Sequence, residues 1–168
     1  MQQQRTALIL GATGGIGGAL ARRLHQAGWH IKALHRDAAA RQAQAGQYEW
    51  IQGDAMQAGD VLRAAAGAAL IVHAVNPPGY RNWQQLVLPM LDHTIAAARH
   101  SGARIVLPGT VYNYGPDAFP DIGVDAPQRP LTRKGALRME MERRLEQAAT
   151  DGVRSLIVRA GDFFGPGA

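Results

Sequence analysis

The sequence of 168 residues predicts an α/β fold: a doubly wound parallel sheet with helices on both faces. Apolar runs of strand length alternate with helical patterns along the chain. These runs are continuously apolar, as in strands that are buried on both faces. The first run leads into a glycine-rich turn that opens a helix, Gly11-Ala12-Thr13-Gly14-Gly15-Ile16-Gly17-Gly18. With right-handed crossovers, this alternation gives the strand order 3-2-1-4-5-6.

The expected strands and helices alternate from residue 7 onward. The predicted strands are 7–10, 29–35, 48–52, 69–74, 104–107 and 153–159. The predicted helices are 15–27, a short alanine-rich one between Asp37 and Gly46, 57–66, 83–101 and 132–150. Gly28 can adopt the left-handed conformation that ends the first helix, and the side chain of Asp37 can cap the second.

Prolines and glycines mark where these elements are interrupted. Residues 76–79 (Asn-Pro-Pro-Gly) cannot continue the fourth strand and predict a loop. Pro89 lies inside the helical pattern that follows, which predicts a kink or a broken start. A long loop rich in Pro, Gly and Asp is expected over residues 108–130, and loops of this length in compact domains are more often functional than not.

Charge and composition exclude several classes of function. The 18 basic and 13 acidic residues give a net charge of +5, but the basic residues are scattered and form no aromatic-studded face, so we expect no nucleic-acid binding. The densest basic pair, Arg143-Arg144, lies among Glu140, Glu142 and Glu146, which indicates a solvated helix face. The absence of cysteine excludes disulfides, zinc–thiolate sites and cysteine nucleophiles. No apolar run is typical of a signal peptide or a membrane span, so we expect a cytoplasmic protein without membrane association.

The glycine-rich turn has the chemistry of a phosphate cradle. Glycines remove the side chains that would keep a pyrophosphate away, and the helix that follows aims free N–H groups and its positive dipole end at that group. The spacing Gly11-x-x-Gly14-x-x-Gly17 differs from the general G-x-G-x-x-G fingerprint, and the alternative is a purely structural strand-to-helix turn. We predict a dinucleotide site whose turn residues are Gly11, Thr13, Gly14, Gly15, Ile16 and Gly17.

The end of the second strand bears on the choice of cofactor. NAD enzymes usually place Asp or Glu there to accept hydrogen bonds from the ribose hydroxyls, whereas this chain has His35-Arg36. A carboxylate would repel the 2′-phosphate of NADP, while Arg36 could bind it through a charge-assisted pair. NADP is therefore the preferred cofactor in this interpretation, with NAD possible. The alternative for Arg36 is a solvated surface arginine, and the nearby Asp37 is explained by helix capping.

Two further strand ends are expected to line the same site. Asp54 follows the third strand and could accept from the adenine amino group, or it could instead cap the next helix. Its neighbour Ala55 is assigned to the cofactor site with it. Beyond the fourth strand, we expect Ala74, Val75 and Asn76 to line the path of the cofactor toward the nicotinamide.

Four stretches together resemble one known family. They are the glycine-rich turn, Gly53-Asp54, residues 107–115 (Leu-Pro-Gly-Thr-Val-Tyr-Asn-Tyr-Gly) and residues 158–166 (Val-Arg-Ala-Gly-Asp-Phe-Phe-Gly-Pro). The sequence resembles the extended or atypical short-chain dehydrogenase/reductase superfamily, often described as the NAD-dependent epimerase/dehydratase family. The resemblance implies a Rossmann-type NAD(P)-binding domain over residues 1–160. It also implies that residues 161–168 begin a substrate lobe that is truncated or missing.

The resemblance also suggests candidate catalytic residues. Thr110 matches the family's Ser or Thr that hydrogen-bonds the substrate oxygen. The family's Tyr-x-x-x-Lys acid/base motif is absent, because the only lysines, Lys32 and Lys134, have no tyrosine four residues earlier. The closest placement puts Lys134 where Tyr belongs and Arg138 where Lys belongs. Arg138 could hold ribose hydroxyls, and Lys134 could act as an acid or base only if burial or the neighbouring Arg133 lowered its pKa.

Two loop tyrosines are alternative proton donors. Tyr112 or Tyr114 could supply the proton from the 108–130 loop, or their rings could simply pack under that loop. The first functional interpretation is an NAD(P)-binding, NADP-preferring oxidoreductase or epimerase-like enzyme that acts on a carbonyl or secondary alcohol of a small molecule. The second is a catalytically silent NADP(H)-binding sensor or regulatory module, which needs the cradle and no proton donor. The resemblance further suggests a homodimer through residues 83–101 and 132–150, although the sheet could equally cover the apolar faces of these helices.

Overall fold

The computed structural model describes residues 5–44, 47–77 and 82–161. Its centre is a sheet of six strands in which every neighbouring pair is parallel. The strands are β1 (Thr6–Leu10), β2 (His30–His35), β3 (Glu49–Gln52), β4 (Leu70–His73), β5 (Arg104–Thr110) and β6 (Ser155–Ala160). Their order, β3-β2-β1-β4-β5-β6, confirms the predicted doubly wound, Rossmann-type topology.

In the described part of the chain, five α-helices cover the two faces of this sheet. They are α1 (Gly15–Gln26), α2 (Ala38–Gln44), α3 (Ala58–Ala64), α4 (Trp83–Ser101) and α5 (Arg133–Thr150). One apolar cluster joins the sheet to α3, α4 and α5, and a second joins its other face to α1. Val87 and Leu91 of α4 and Leu145 of α5 are buried in the first cluster. The apolar faces of α4 and α5 therefore pack on the sheet, and the homodimer through these helices stays a prediction.

The helix ends follow the predicted chemistry. Gly28 has a φ of 82° just after α1. The Asp37 carboxylate accepts a hydrogen bond from the backbone N–H of Ala40 at 3.3 Å, which confirms its capping role for α2. Gly46, expected to end α2, lies outside the described residues. Among the helices that the structure describes, none combines the length and the apolar character needed to cross a membrane.

The structure departs from two expectations about prolines: the broken start at Pro89, where a kink stays a prediction, and the loop from Pro108. Helix α4 runs without a break through Pro89, so the predicted broken start does not occur. Pro89 lies in the second turn, where its ring removes one backbone hydrogen bond, and the buried Val87, Met90 and Leu91 hold both sides of it on the sheet.

The second proline lies within β5, which extends to Thr110 instead of ending at residue 107. The N–H of Arg104 donates toward β4 and that of Ile105 toward β6, so by alternation the nitrogen of Pro108 faces the β4 side. The pairing of β5 with β4 ends at Val106, whereas pairing with β6 continues to Thr110. The missing N–H of Pro108 therefore costs no sheet hydrogen bond, and the long loop begins at residue 111.

A buried polar network holds this loop against α5 and β6. The Arg159 guanidinium donates to both carboxylate oxygens of Glu142, at 2.9 and 2.7 Å, and Glu142 is almost fully buried. The Gln128 amide donates to Glu142 at 2.7 Å and accepts from the Asn113 amide at 2.9 Å. These bonds tie both ends of the loop to the same ion pair. The hydrogen bonds that Arg159 donates to Glu142 raise the pKa of the Arg159 guanidinium, so this cation stays charged.

The neighbouring charges on α5 have a different environment. Glu140 accepts from Arg143 and Arg144 on the outside of the helix, and these two hydrogen bonds lower its pKa to about 2. This confirms the predicted solvated face for Arg143, which is exposed, whereas Glu140 is half-buried. The prediction of a solvated face is wrong for Glu142, whose side chain is buried in the protein.

Replacing Glu142 with Ala should destabilise the fold strongly. The guanidinium of Arg159 would remain largely buried without a counter-ion, which should lower the free energy of unfolding by about 3 kcal/mol. Urea unfolding measures this change. The matched control is Glu140→Ala on the same helix, which leaves its partner Arg143 exposed to water and should cost under about 1 kcal/mol. Equal losses in the two variants would contradict a structural role for the buried pair.

Candidate functional site

A cleft lies at the carboxyl ends of the strands, where the chain leaves β1 and β4 in opposite directions. Its volume is about 1220 Å³, large enough for an extended dinucleotide. In a doubly wound sheet this switch point is where ligands bind. The structure brings together around this cleft every residue that was predicted to hold the cofactor, namely Gly11, Thr13, Gly14, Gly15, Ile16, Gly17, Arg36, Asp54, Ala55, Ala74, Val75 and Asn76.

Packing requires two glycines of the turn and leaves a third unexplained. Gly11 has a φ of +90°, and a Cβ there would lie 2.6 Å from the carbonyl oxygen of Ala74. A Cβ on Gly17 would lie 2.1 Å from the carbonyl oxygen of Gly11. Packing of β1, β4 and α1 therefore explains these two glycines. It does not explain Gly14, whose Cβ would meet only one atom, at an ordinary 3.4 Å.

The N-terminus of α1 suits an anion. The helix begins at Gly15 after Gly14, which provides no side-chain cap, and its first turn contains no acidic residue. The first N–H groups of a helix have no partner within the helix, and the dipole adds partial positive charge at this end. Thr13, Gly14 and Gly15 are exposed and leave the approach open. The cradle therefore fits a pyrophosphate, and the free space in front of Gly14 favours ligand binding over a purely structural turn.

The turn after β2 presents a cation to the cleft. Arg36 is exposed and lines the cleft, and its carbonyl oxygen accepts a hydrogen bond from the Gln52 amide at 2.6 Å. The N–H of Asp37 donates to Nδ1 of His35 at 3.0 Å, while the Asp37 carboxylate caps α2. Asp37 is not among the residues that line the cleft. At this turn, the charged side chain on the cleft is therefore Arg36.

Asp54 does not cap α3, so that alternative is wrong. The residue before the helix is Gln57, and the carboxylate of Asp54 instead accepts from the backbone N–H of Met56 at 2.9 Å. This short turn keeps Asp54 on the cleft wall. Its predicted contact with the adenine amino group stays a prediction.

The predicted catalytic residues lie beside the cleft and not in its lining. The ammonium of Lys134 lies 4.3 Å from the centre of the Tyr112 ring, and the Tyr112 side chain is exposed. One turn farther along α5, the Arg138 guanidinium lies 5.1 Å from the centre of the Trp83 ring. The structure thus brings Tyr112 and Lys134 into contact, with Arg138 on the next turn, while Thr110 lies apart from them.

The hydroxyl group of Thr110 is part of the buried polar network. A carboxylate accepts only, so Glu142 must face the NH₂ group of Gln128, and the Gln128 oxygen must then face the NH₂ group of Asn113. The Asn113 oxygen is left to accept from the Thr110 hydroxyl, at 3.3 Å. Thr110 is buried and uses its proton inside the protein, so only its oxygen lone pairs remain for another group.

Tyr114 follows the alternative in which its ring packs under the loop. It is buried, and the Arg159 guanidinium lies 5.0 Å from the centre of its ring. Sequence reasoning missed Asn113, Gln128, Glu142 and Arg159 as a group. One signal was available, because Glu142 is three residues before Leu145 and thus on the packed face of α5.

A buried histidine at the end of β4 was also missed. The hydroxyl of Thr94 donates to the Met90 carbonyl at 3.0 Å, so it accepts from Nδ1–H of His73 at 2.8 Å. Burial, and then the charge of Arg138, lower the pKa of His73 to about 3. His73 is therefore neutral at neutral pH and anchors the end of β4 to α4.

Comparison with known proteins supports a nucleotide-binding fold. A sequence model of the NAD dependent epimerase/dehydratase family matches residues 7–168. No curated protein matches the sequence.

Solved structures of three epimerases are similar to the chain over nearly all of its length. The UDP-N-acetylglucosamine 4-epimerase from Bacillus cereus has a TM-score of 0.78 at 16% identity, over 94% of this chain and 53% of that one. The UDP-glucose 4-epimerase from Brucella ovis in complex with NAD has a TM-score of 0.78 at 18% identity, over 92% and 51%. The UDP-glucuronic acid 4-epimerase from Bacillus cereus in complex with NAD has a TM-score of 0.80 at 16% identity, over 97% and 58%. At this identity the likeness shows the fold, and the chain spans little more than half the length of these proteins.

The glycines of the cradle should differ in their tolerance of a methyl group. Gly17→Ala would force a Cβ against the Gly11 carbonyl oxygen, so we expect the free energy of unfolding to fall by about 3 kcal/mol. Gly14→Ala, the matched control in the same turn, should change it by less than about 1 kcal/mol, because the space beside Gly14 is open. Thermal and urea unfolding of both variants provide the measurement. A Gly17→Ala protein as stable as Gly14→Ala would refute the packing argument.

Proposed function

The chain belongs to the NAD-dependent epimerase/dehydratase family, and on this premise we propose that it is an NADP-dependent oxidoreductase or epimerase. Its substrate in this proposal is a small molecule with a carbonyl or a secondary alcohol. The observation that carries the proposal is the cleft at the strand ends, with the glycine cradle at its centre and Arg36 on its wall. A bound nicotinamide dinucleotide supplies hydride transfer. The chain's own residues then have to bind it, orient it and move a proton.

The preference for NADP rests on Arg36. A guanidinium forms short, charge-assisted and often bidentate hydrogen bonds with phosphate, and no carboxylate among the described cleft residues competes with it at the turn after β2. Two of the similar epimerases were solved with NAD. The proposal therefore gives this chain a different preferred dinucleotide from the NAD bound in those two structures.

Tyr112 and Lys134 are the proposed proton-transfer pair. They come from different elements, the loop after β5 and the first turn of α5, and the Lys134 ammonium lies over the Tyr112 ring. The nearby ammonium would stabilise the negative charge that develops on the phenol oxygen when it gives its proton to the substrate. The exposure of Tyr112 leaves its hydroxyl accessible to a small molecule.

A second candidate function is a sensor that binds NADP(H) without turning over a substrate. Two observations favour it: the positions of the family's Tyr and Lys hold Lys134 and Arg138, and neither lines the cleft. A sensor requires only the cradle and the ribose site. The homodimer through α4 and α5 is a further proposal, and it rests on the family resemblance alone because the sheet covers their apolar faces.

Replacing Arg36 with Ala should weaken NADPH binding selectively. Loss of the charge-assisted bonds to the 2′-phosphate should raise the Kd for NADPH about tenfold or more and leave the Kd for NADH within about twofold. Fluorescence titration with each dinucleotide measures both constants. Arg104→Ala is the control, because Arg104 is exposed at the opposite end of the strands. Tighter binding of NADH than NADPH by the unmodified protein would remove the argument from Arg36.

Turnover separates the enzyme from the sensor. We expect the chain to oxidise or reduce the dinucleotide with at least one member of a panel of aldehydes, ketones and nucleotide sugars. Tyr112→Phe should then lower kcat about a hundredfold, as loss of a general acid does, with NADPH affinity unchanged. Tyr114→Phe is the control from the same loop, because its ring is buried under Arg159. NADPH binding without turnover on the whole panel would support the sensor instead.

A further inference from the structure

We propose that Trp83 is a positioning residue for dinucleotide binding, because it orients the side-chain amide of Asn76 so that the NH₂ group faces the cleft. The inference rests on the proposed function, since it concerns the cofactor that the cleft would hold. It adds a residue that does not line the cleft itself and that comes from the buried start of α4.

The orientation of the amide follows from the chemistry of its partner. The indole N–H of Trp83 donates to Oδ1 of Asn76 at 2.6 Å. An indole nitrogen can only donate, so it must face the oxygen of the amide and never its NH₂ group. The two N–H donors of Asn76 therefore point away from the indole. Asn76 is exposed and lines the cleft, and in this proposal its NH₂ group faces that cleft.

The indole has little freedom to release this hydrogen bond. Trp83 is only 6% exposed and belongs to the apolar cluster beneath α4. The guanidinium of Arg138 lies on its ring, 5.1 Å from the centre. Packing on one side and a cation on the face of the ring hold the N–H in one direction. Arg138 therefore acts indirectly: it restrains the Trp83 ring, which in turn orients the Asn76 amide.

Asn76 has the required position and chemistry for a contact with the cofactor. It lies at the carboxyl end of β4, close to where the Ala74 carbonyl approaches Gly11 and where a dinucleotide that starts at the cradle must pass. Its neighbours Ala74, Val75 and Pro77 on the same wall have no side-chain donor. The NH₂ group of Asn76 is therefore the side-chain donor available there to an acceptor oxygen of the dinucleotide.

The test is a double-mutant cycle in which fluorescence titration measures the Kd for NADPH of each variant. Trp83→Phe keeps an aromatic ring for Arg138 and removes the N–H, and Asn76→Ala removes the amide. Each should raise the Kd about five- to tenfold, and the double variant should bind no more weakly than Asn76→Ala alone, because Trp83 acts through Asn76. Trp29→Phe, far from the cleft under Arg5, is the matched control and should bind as the unmodified protein does.

A further variant keeps the fold and changes only the group offered to the cofactor. Asn76→Asp still accepts from the indole but replaces the NH₂ group with a negative oxygen, so the Kd should rise more than tenfold with the melting temperature unchanged. Additive losses in the cycle, or unaltered binding by Asn76→Asp, would overturn the positioning role. If the unmodified protein binds neither NADPH nor NADH, the proposed function fails and this inference fails with it. If it binds and Trp83→Phe binds equally well, the inference alone fails.

Discussion

The close approach of three backbone segments is the constraint on which the rest of the structure depends. Gly17 of α1 lies against the carbonyl of Gly11, and Gly11 in turn lies against the carbonyl of Ala74. No side chain fits in either contact, so α1 is held tightly to the ends of β1 and β4. This contact opens the cleft at the switch point and aims the N-terminus of α1 into it. The same packing that stabilises the fold therefore creates the binding site.

Two groups of charged residues in the molecule have different roles. Around the cleft, Arg36 and the free N–H groups of α1 offer positive charge to a ligand. Between α5, β6 and the long loop, the pair Glu142–Arg159 is neutralised internally and fixes hydrogen-bond directions as far as Thr110. Tyr112 and Lys134, the proposed proton-transfer pair, belong to neither group and do not line the cleft.

Structural predictions from patterns of several residues were more reliable than predictions from a single residue type. The apolar strands, the glycine turn and the cap at Asp37 were predicted correctly, because buried parallel strands and helix ends impose their chemistry on adjacent residues. The broken start at Pro89, the loop from Pro108 and the helix cap at Asp54 were not observed, because at each residue a local rule met a tertiary context that removed its cost or its purpose. Pro108 is the clearest case, because its missing N–H faces the side of β5 where pairing with β4 has ended.

The sequence by itself determined the sheet order, the cradle and the strand ends at which the cleft lies. These features depend on spacing along the chain, since the carboxyl ends of parallel strands meet at one edge. Only the tertiary structure decided which polar side chains are buried together and which way their amides point. The contacts Glu142–Arg159, Lys134–Tyr112 and Trp83–Asn76 each join residues from different elements. Their geometry is set by how helices pack on the sheet, and no periodicity in the sequence encodes that directly.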